Sequence, residues 1–317
     1  MEKNKVKHWS QIKEKGGIVG LKATLLFYRL LGRRLTYLIM YEVIVHYFLF
    51  HRKARKASID YLKHLYPKRN ILFLWILSFR HFCSFGKMLI DKLAVWNHSI
   101  TIDDINFSAD TKSRLENAIK SGKGGLIFTA HFGHLEVARA LSKHEGDDMK
   151  INALVFSKHA QQLNDMLTKI NPEYKIGMIS LQKPAPDLAI QLCEKIEQGE
   201  FVVIVGDRTS VTQPGRNLKP NFLGEEAPLP QGAFILASLL QCPTYFMLCP
   251  KKGNKYDFIF EDFEPQGLKL NRKNRQQDLE RHAQKYANML GGYCQEYPLQ
   301  WFNFFDFWQE SEVNNER

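Results

Sequence analysis

In the stretch Gly124–Leu141, GGLIFTAHFGHLEVARAL, His131 and Glu136 are the residues whose types and spacing can do chemistry. A carboxylate on one ring nitrogen fixes the imidazole tautomer, raises its basicity and leaves the other nitrogen to take a proton. On one regular helix, residues five apart diverge by roughly 140° and miss each other. With His131 in a turn and Glu136 in the first helical turn beyond it, the imidazole folds back onto the carboxylate. That is a general base awaiting a hydroxyl. The same residue types also allow a satisfied surface or core His/Glu pair, or a zinc site made of His131, His134 and Glu136. Zinc fits poorly, because the spacing is not His-Glu-x-x-His and no further His/Cys cluster completes a tetrahedron.

The elements that must position this pair follow from local pattern. Leu126 to Ala130 is a brief apolar run bounded by glycines, which predicts a buried strand. A helix is expected from near Gly133, with Leu135, Val137, Ala138, Ala140 and Leu141 on its packed face. Backbone N–H groups around Phe132, Gly133 and His134, at the start of that helix, can stabilise negative charge. Beyond it the pattern alternates. Strands are expected at Ile151–Phe156, Tyr174–Leu181, Phe201–Val205, Thr244–Leu248 and Tyr256–Phe260. Helices are expected at Ser157–Ile170, Pro186–Gln198, Gln231–Leu240 and about Gln276–Glu296. Such alternation implies parallel βαβ units, with reactive residues on loops at the carboxyl ends of strands. His131 and Asp207 both follow such strands. Asp207 and Arg208 abut Thr209 and Ser210, and an arginine there can grip a phosphate or carboxylate bidentately, although a structural ion pair is the simpler alternative.

His131-Phe-Gly-His-Leu-Glu136 after a strand resembles the His-x4-Asp/Glu motif of the lysophospholipid acyltransferase superfamily. More specifically it is similar to the bacterial lipid A late acyltransferases and a related branch of acyltransferases. Further matches follow in order: Val205-Gly-Asp-Arg208, then Phe222-Leu-Gly224 with Pro228, Pro230, Gly232 and Leu236-Ala237, then Pro298 to Trp308. The resemblance runs over nearly the whole chain. It implies an α/β fold with a mixed, largely parallel central sheet flanked by helices, behind an N-terminal helical, membrane-associating region. It also implies acyl transfer from an acyl carrier protein or coenzyme A thioester to the hydroxyl or amine of a lipid-linked acceptor. His131 and Glu136 would be catalytic, and Asp207, Arg208, Lys158, Gly133 and Arg216 would bind substrate. Lys158 and His159 stand where many relatives place an arginine. No metal and no cofactor beyond the acyl donor is expected. The transfer is direct, since no Gly-x-Ser-x-Gly elbow supplies a serine nucleophile.

Composition narrows the partners. Lys+Arg 44 against Asp+Glu 33 gives a net charge of +11, so an anionic partner is expected. With 12% aromatic residues and 22 Phe, an apolar or interfacial partner is favoured over nucleic acid. No helix-turn-helix, zinc-finger or RNA-binding signature is visible, so a nucleic-acid-binding protein is the less favoured alternative, supported only by charge. A non-catalytic lipid-binding or assembly protein on the same fold is the other alternative. Five scattered cysteines without a close pair read as reduced thiols. The start, MEKNKVKHWS, shows no secretory signal.

Leu21–Leu31 and Leu35–Phe50 are expected to be two helices broken around Gly32. The second is interrupted by Glu42 and His46, too short and polar for a comfortable span. Arg29, Arg33 and Arg34 precede it and Arg52, Lys53, Arg55 and Lys56 follow, which suits either a helix lying in an anionic interface or an ordinary buried one. Ile71–Phe79 should continue as an amphipathic helix to about Trp96, and Asp110–Lys120 should be a helix. The boundaries expected are 1–100 for the N-terminal region, 101–308 for the α/β domain and 309–317 for a disordered tail. The aromatic run Trp301–Trp308 is expected to pack in a core. The expected location is the cytoplasmic face of the bacterial inner membrane, peripheral or monotopic, with an acyl carrier protein and a lipid acceptor as partners.

Overall fold

The structure, a computed structural model, describes residues 17–97, 99–137, 149–155, 177–181, 185–209 and 215–309. The chain forms two compact units. One takes Met1–Ile90, Asp207–Gly232 and Lys273–Arg317, and the other takes Asp91–Gly206 and Ala233–Arg272. The expected helix at Ser157–Ile170 lies outside the described residues, as does Lys158.

The second unit is a mixed, largely parallel sheet. Its main strands are β1 (Ile105–Phe107), β2 (Gly125–Thr129), β3 (Ile151–Val155), β4 (Gly177–Ser180), β5 (Phe201–Val205), β10 (Thr244–Leu248) and β12 (Lys255–Glu264), with β11 (Lys251–Lys252) paired to β12. The order is β1-β12-β10-β2-β5-β3-β4. From β10 through β4 every pairing is parallel, whereas β12 runs antiparallel to β10. The strands β2 (GLIFT) and β10 (TYFML) are buried at all positions, as parallel strands covered on both faces must be. Phe128 of β2 stacks on Phe234 of the helix Gln231–Leu240 at 5.3 Å, so this helix covers one face. On β12 the buried positions alternate through Tyr256, Phe258 and Phe260 and then skip to Phe263. The register shift against Thr244/Tyr245 accounts for the skip: a bulge returns Phe263 to the core face.

The first unit is mainly helical: α1 (Gly17–Phe50), α2 (Arg52–Leu65), α3 (Ile71–Trp96) as far as Ile90, and a C-terminal helix Arg275–Glu296. In α1, Gly32 at φ 72 and ψ 175 breaks the helical path, at the predicted position and at a backbone conformation that favours glycine. In α2 the buried residues are Ala54, Ala57, Ser58, Tyr61 and Leu62, the i, i+3, i+4, i+7, i+8 stripe of an amphipathic helix. Arg55 Nη1 caps the preceding helix by donating to the carbonyls of Phe48 and Leu49. The stretch around Phe222-Leu-Gly224 is built from two small hairpins, β6 (Asn217–Leu218) with β9 (Leu229–Pro230) and β7 (Asn221–Phe222) with β8 (Glu225–Glu226).

The aromatic tail is core. Trp301 is fully buried and meets Tyr61, Phe222 and Phe307 edge-on at 4.9, 5.1 and 4.7 Å. A polar chain threads this core: Ser78 Oγ donates to Ser58 Oγ, whose hydroxyl faces His81 Nδ1 at 3.0 Å, and His81 Nε2 lies 2.9 Å from the Trp301 carbonyl. A carbonyl only accepts, so His81 carries its proton on Nε2 and receives one from Ser58 on Nδ1. The ring is therefore held neutral, and burial pushes its pKa down to about 4.

Among the described residues, no helix is long and apolar enough to cross a membrane. Yet α1 and the first turns of α3 expose Leu30, Leu38, Val43, Phe50, Ile71 and Leu72 among others.

Candidate active site

The reactive turn sits at the carboxyl end of β2, a central strand flanked in parallel by β10 and β5. Thr129 Oγ1 ties that end to the Met247 carbonyl at 2.7 Å. The chain then folds tightly: Phe132 N–H donates to Ala130 O at 2.7 Å and Phe132 is buried. Gly133 adopts φ 63 and bridges Cys249, and a Cβ there would lie 2.4 Å from the Cys249 carbonyl oxygen. Glycine is required on both counts. His134 N–H donates to the same carbonyl at 2.7 Å. Leu135–Val137 form a tight helical turn, with Val137 N–H on His134 O at 2.8 Å. His131 is half-buried, while Phe132, Gly133 and His134 are buried. The turn thus offers one imidazole outward and turns the other in. Residues 138–148 lie outside the described residues, and with them most of the helix expected from Gly133.

The buried imidazole has its own partners. Asp91, near the end of α3 and fully buried, receives Lys251 Nζ at 2.6 Å and Tyr256 Oη at 2.7 Å, and His134 Nε2 lies 3.3 Å from the same oxygen. Lys92, the next residue, places Nζ 2.8 Å from Glu136 Oε1. Neither partnership is legible from spacing, since the groups come from distant parts of the chain. The local signal was an acid and a base side by side in the otherwise apolar helix end LIDKLAVW. Among the described residues no group of three His, Cys, Asp or Glu side chains is placed to hold a metal ion. Cys249, against the turn, is fully buried, and burial pushes its thiol well up, so it is no nucleophile.

Asp207 and Arg208 belong to the other unit. Asp207 is fully buried, and its Oδ2 accepts from Trp301 Nε1 at 2.9 Å and Asn303 Nδ2 at 2.8 Å. Asn303 Oδ1 in turn accepts from Arg208 Nε at 3.1 Å, and the guanidinium lies over Phe305 at 5.7 Å. The aspartate anchors the aromatic tail, and half-buried Arg208 is the member of the pair closer to solvent. Trp301 and Asn303 are the residues sequence reasoning did not connect to this loop. Arg216 is exposed, and its carbonyl accepts from Gln231 N–H at 3.3 Å.

A largely parallel sheet thus carries a histidine and a glutamate on the turn behind its central strand β2, the frame of an α/β protein. The chain belongs to the bacterial lipid A biosynthesis acyltransferase family, which matches it over residues 78–310. That stretch holds the His131 turn, the Asp207–Arg208 loop and the aromatic tail. No curated protein matches the chain. The protein is therefore an enzyme that transfers an acyl group, and its acceptor is lipid-like.

Proposed function

We propose that this acyltransferase moves a fatty or other apolar acyl chain from an acyl carrier protein or coenzyme A thioester onto the hydroxyl or amine of a lipid-linked acceptor, with His131 as general base. The supporting observation is the half-buried imidazole at the exit of β2, held on a turn whose backbone is fixed by Gly133 and Cys249, in a family of acyltransferases. His131 takes the acceptor proton as the acceptor oxygen or nitrogen attacks the thioester carbonyl carbon. The carbonyl π electrons move onto oxygen. As they return, the C–S bond breaks, and the departing thiolate takes the proton from the imidazolium. Glu136 orients the ring and stabilises its charged form. The Phe132 and His134 amides already donate within the protein, which makes the Gly133 N–H the amide of the turn assigned to the oxyanion. Arg208 is assigned to an anionic group of the acceptor.

The reaction belongs at a membrane surface, on the cytoplasmic face of the bacterial inner membrane, peripheral or monotopic. The apolar residues exposed on α1 and α3 are joined in the chain by a segment with exposed Arg52, Lys53, Lys56, Lys68 and Arg69, a composition that suits helices lying on anionic lipid. The same basic surface suits an acidic carrier protein. No cofactor and no nucleic acid takes part. His131→Ala tests the assignment: purified variant and parent are compared for thiol release from an acyl thioester in the presence of lysolipid acceptors. Loss of about 10²–10⁴-fold is expected for removal of a general base. Transfer at the parent rate by a folded variant removes His131 from the role.

A further inference from the structure

Two consecutive side chains of α3 take hold of the turn that carries His131. Asp91 reaches His134, with Lys251 and Tyr256 converging on the same carboxylate oxygen. Lys92 reaches Glu136 at 2.8 Å. The Lys92 and Glu136 side chains are 23% and 19% exposed, so solvent screens the pair less than it would an ion pair on the open surface. A glutamate has three rotatable side-chain bonds and, unrestrained, samples several rotamers, most of which aim its carboxylate away from any one neighbour. An ammonium on Oε1 fixes that choice. The helix end supplying the ammonium is itself fixed by the buried Asp91 cluster one residue away.

We propose that Lys92 is a positioning residue for acyl transfer: by holding one oxygen of Glu136 it sets the direction in which that carboxylate addresses the His131 imidazole. The proposal rests on the reading of His131 as the base. Lys92 is not assigned any contact with substrate, so its loss should appear in turnover and not in substrate binding.

The test is a cycle on the full chain: Lys92→Met, Lys92→Arg, Glu136→Gln and the double variant Lys92→Met/Glu136→Gln, with Lys92→Gln replacing Lys92→Met should the latter not fold. Two readouts are taken: kcat and KM for an acyl thioester with a lysolipid acceptor, and the rate of carbethoxylation of His131 by diethyl pyrocarbonate at pH 9, followed by mass spectrometry with exposed His46 as internal control. Lys92→Met should lower kcat by about 10- to 100-fold, the scale of a misplaced catalytic group, with KM within about twofold. Lys92→Arg should restore most of it. Adding Lys92→Met to Glu136→Gln should cost nothing further, because the lysine acts through the glutamate. The His131 modification rate should change by the same factor in Lys92→Met and Glu136→Gln, with His46 unmoved. Additive losses in the double variant, or a His131 rate indifferent to Lys92, overturn the proposal. A parent protein that turns over no thioester at all overturns the acyl-transfer reading instead, and the modification cycle still decides whether Lys92 acts on His131 through Glu136.

Discussion

At the scale of single residues, the histidine–glutamate spacing located the turn but not its surroundings. His131 and Glu136 stand out because their types and separation are readable within six residues. Asp91, Lys92, Lys251 and Tyr256 do not, because Asp91 meets Lys251 and Tyr256 across 160 and 165 residues and Lys92 meets Glu136 from a separate helix. No periodicity encodes such a contact. Asp91 carries the sharpest stability consequence. Its carboxylate is fully buried and receives a lysine ammonium and a tyrosine hydroxyl. Removing one member of a buried pair leaves the other charge uncompensated, which costs about 3–5 kcal/mol. Asp91→Ala should therefore lower the urea midpoint by that equivalent, whereas replacing both partners, Asp91→Leu with Lys251→Met, should recover much of the loss. A single variant within 1 kcal/mol of the parent would show that the cluster is not a buried charge hub.

At the scale of elements, legibility follows burial. Phe201–Val205, Gln231–Leu240 and Thr244–Leu248 have the bounds their sequence predicts, because each is a continuous apolar run stopped by charged or turn residues. The β12 strand runs on to Glu264, past the predicted Phe260, since an antiparallel strand tolerates the charged Glu261 and Asp262 on its less buried face and a bulge restores the phase. The short hairpins between Asn217 and Pro230 carry too few apolar positions to register as strands. The helical elements of the first unit share a buried relay from Ser78 through Ser58 and His81 to Trp301, and this gives the unit a pH response. His81 titrates near 4 when folded, against an ordinary value of about 6.5. The unfolded chain therefore binds the extra proton between those values. The relay's contribution is complete above pH 6.5 and is lost as pH falls through 6.5 toward 4. At pH 4.5 the loss relative to pH 7.5 is roughly 2–3 kcal/mol from this group. Urea titrations of parent and His81→Gln at both pH values isolate it: the parent should lose more stability than the variant by about that amount. Equal losses would place the acid sensitivity elsewhere.

At the scale of the molecule, the two units interleave along the chain, the first being assembled from three separate segments. A linear reading sees composition shifts, not segments that return, so that partition was beyond it. What the sequence did show was the apolar, basic-flanked N-terminal region, and the structure sharpens the consequence. Leu30, Leu38 and Leu72 are 70%, 60% and 65% exposed, a cost in water unless something apolar covers them. Among the described residues no helix is long and apolar enough to cross a membrane, and for the surface attachment proposed above affinity sums apolar burial and attraction to anionic headgroups. The two terms separate by experiment. Burying one leucine side chain is worth about 1.5–3 kcal/mol, so Leu30→Asp with Leu38→Asp should lower co-sedimentation with phosphatidylglycerol vesicles by at least about tenfold in partition coefficient. Raising salt screens the headgroup attraction alone and should weaken the parent without abolishing its binding. Binding that vanishes at high salt and ignores both substitutions would assign attachment to the basic residues only. Binding insensitive to salt and substitution alike would move the lipid contact away from these helices altogether.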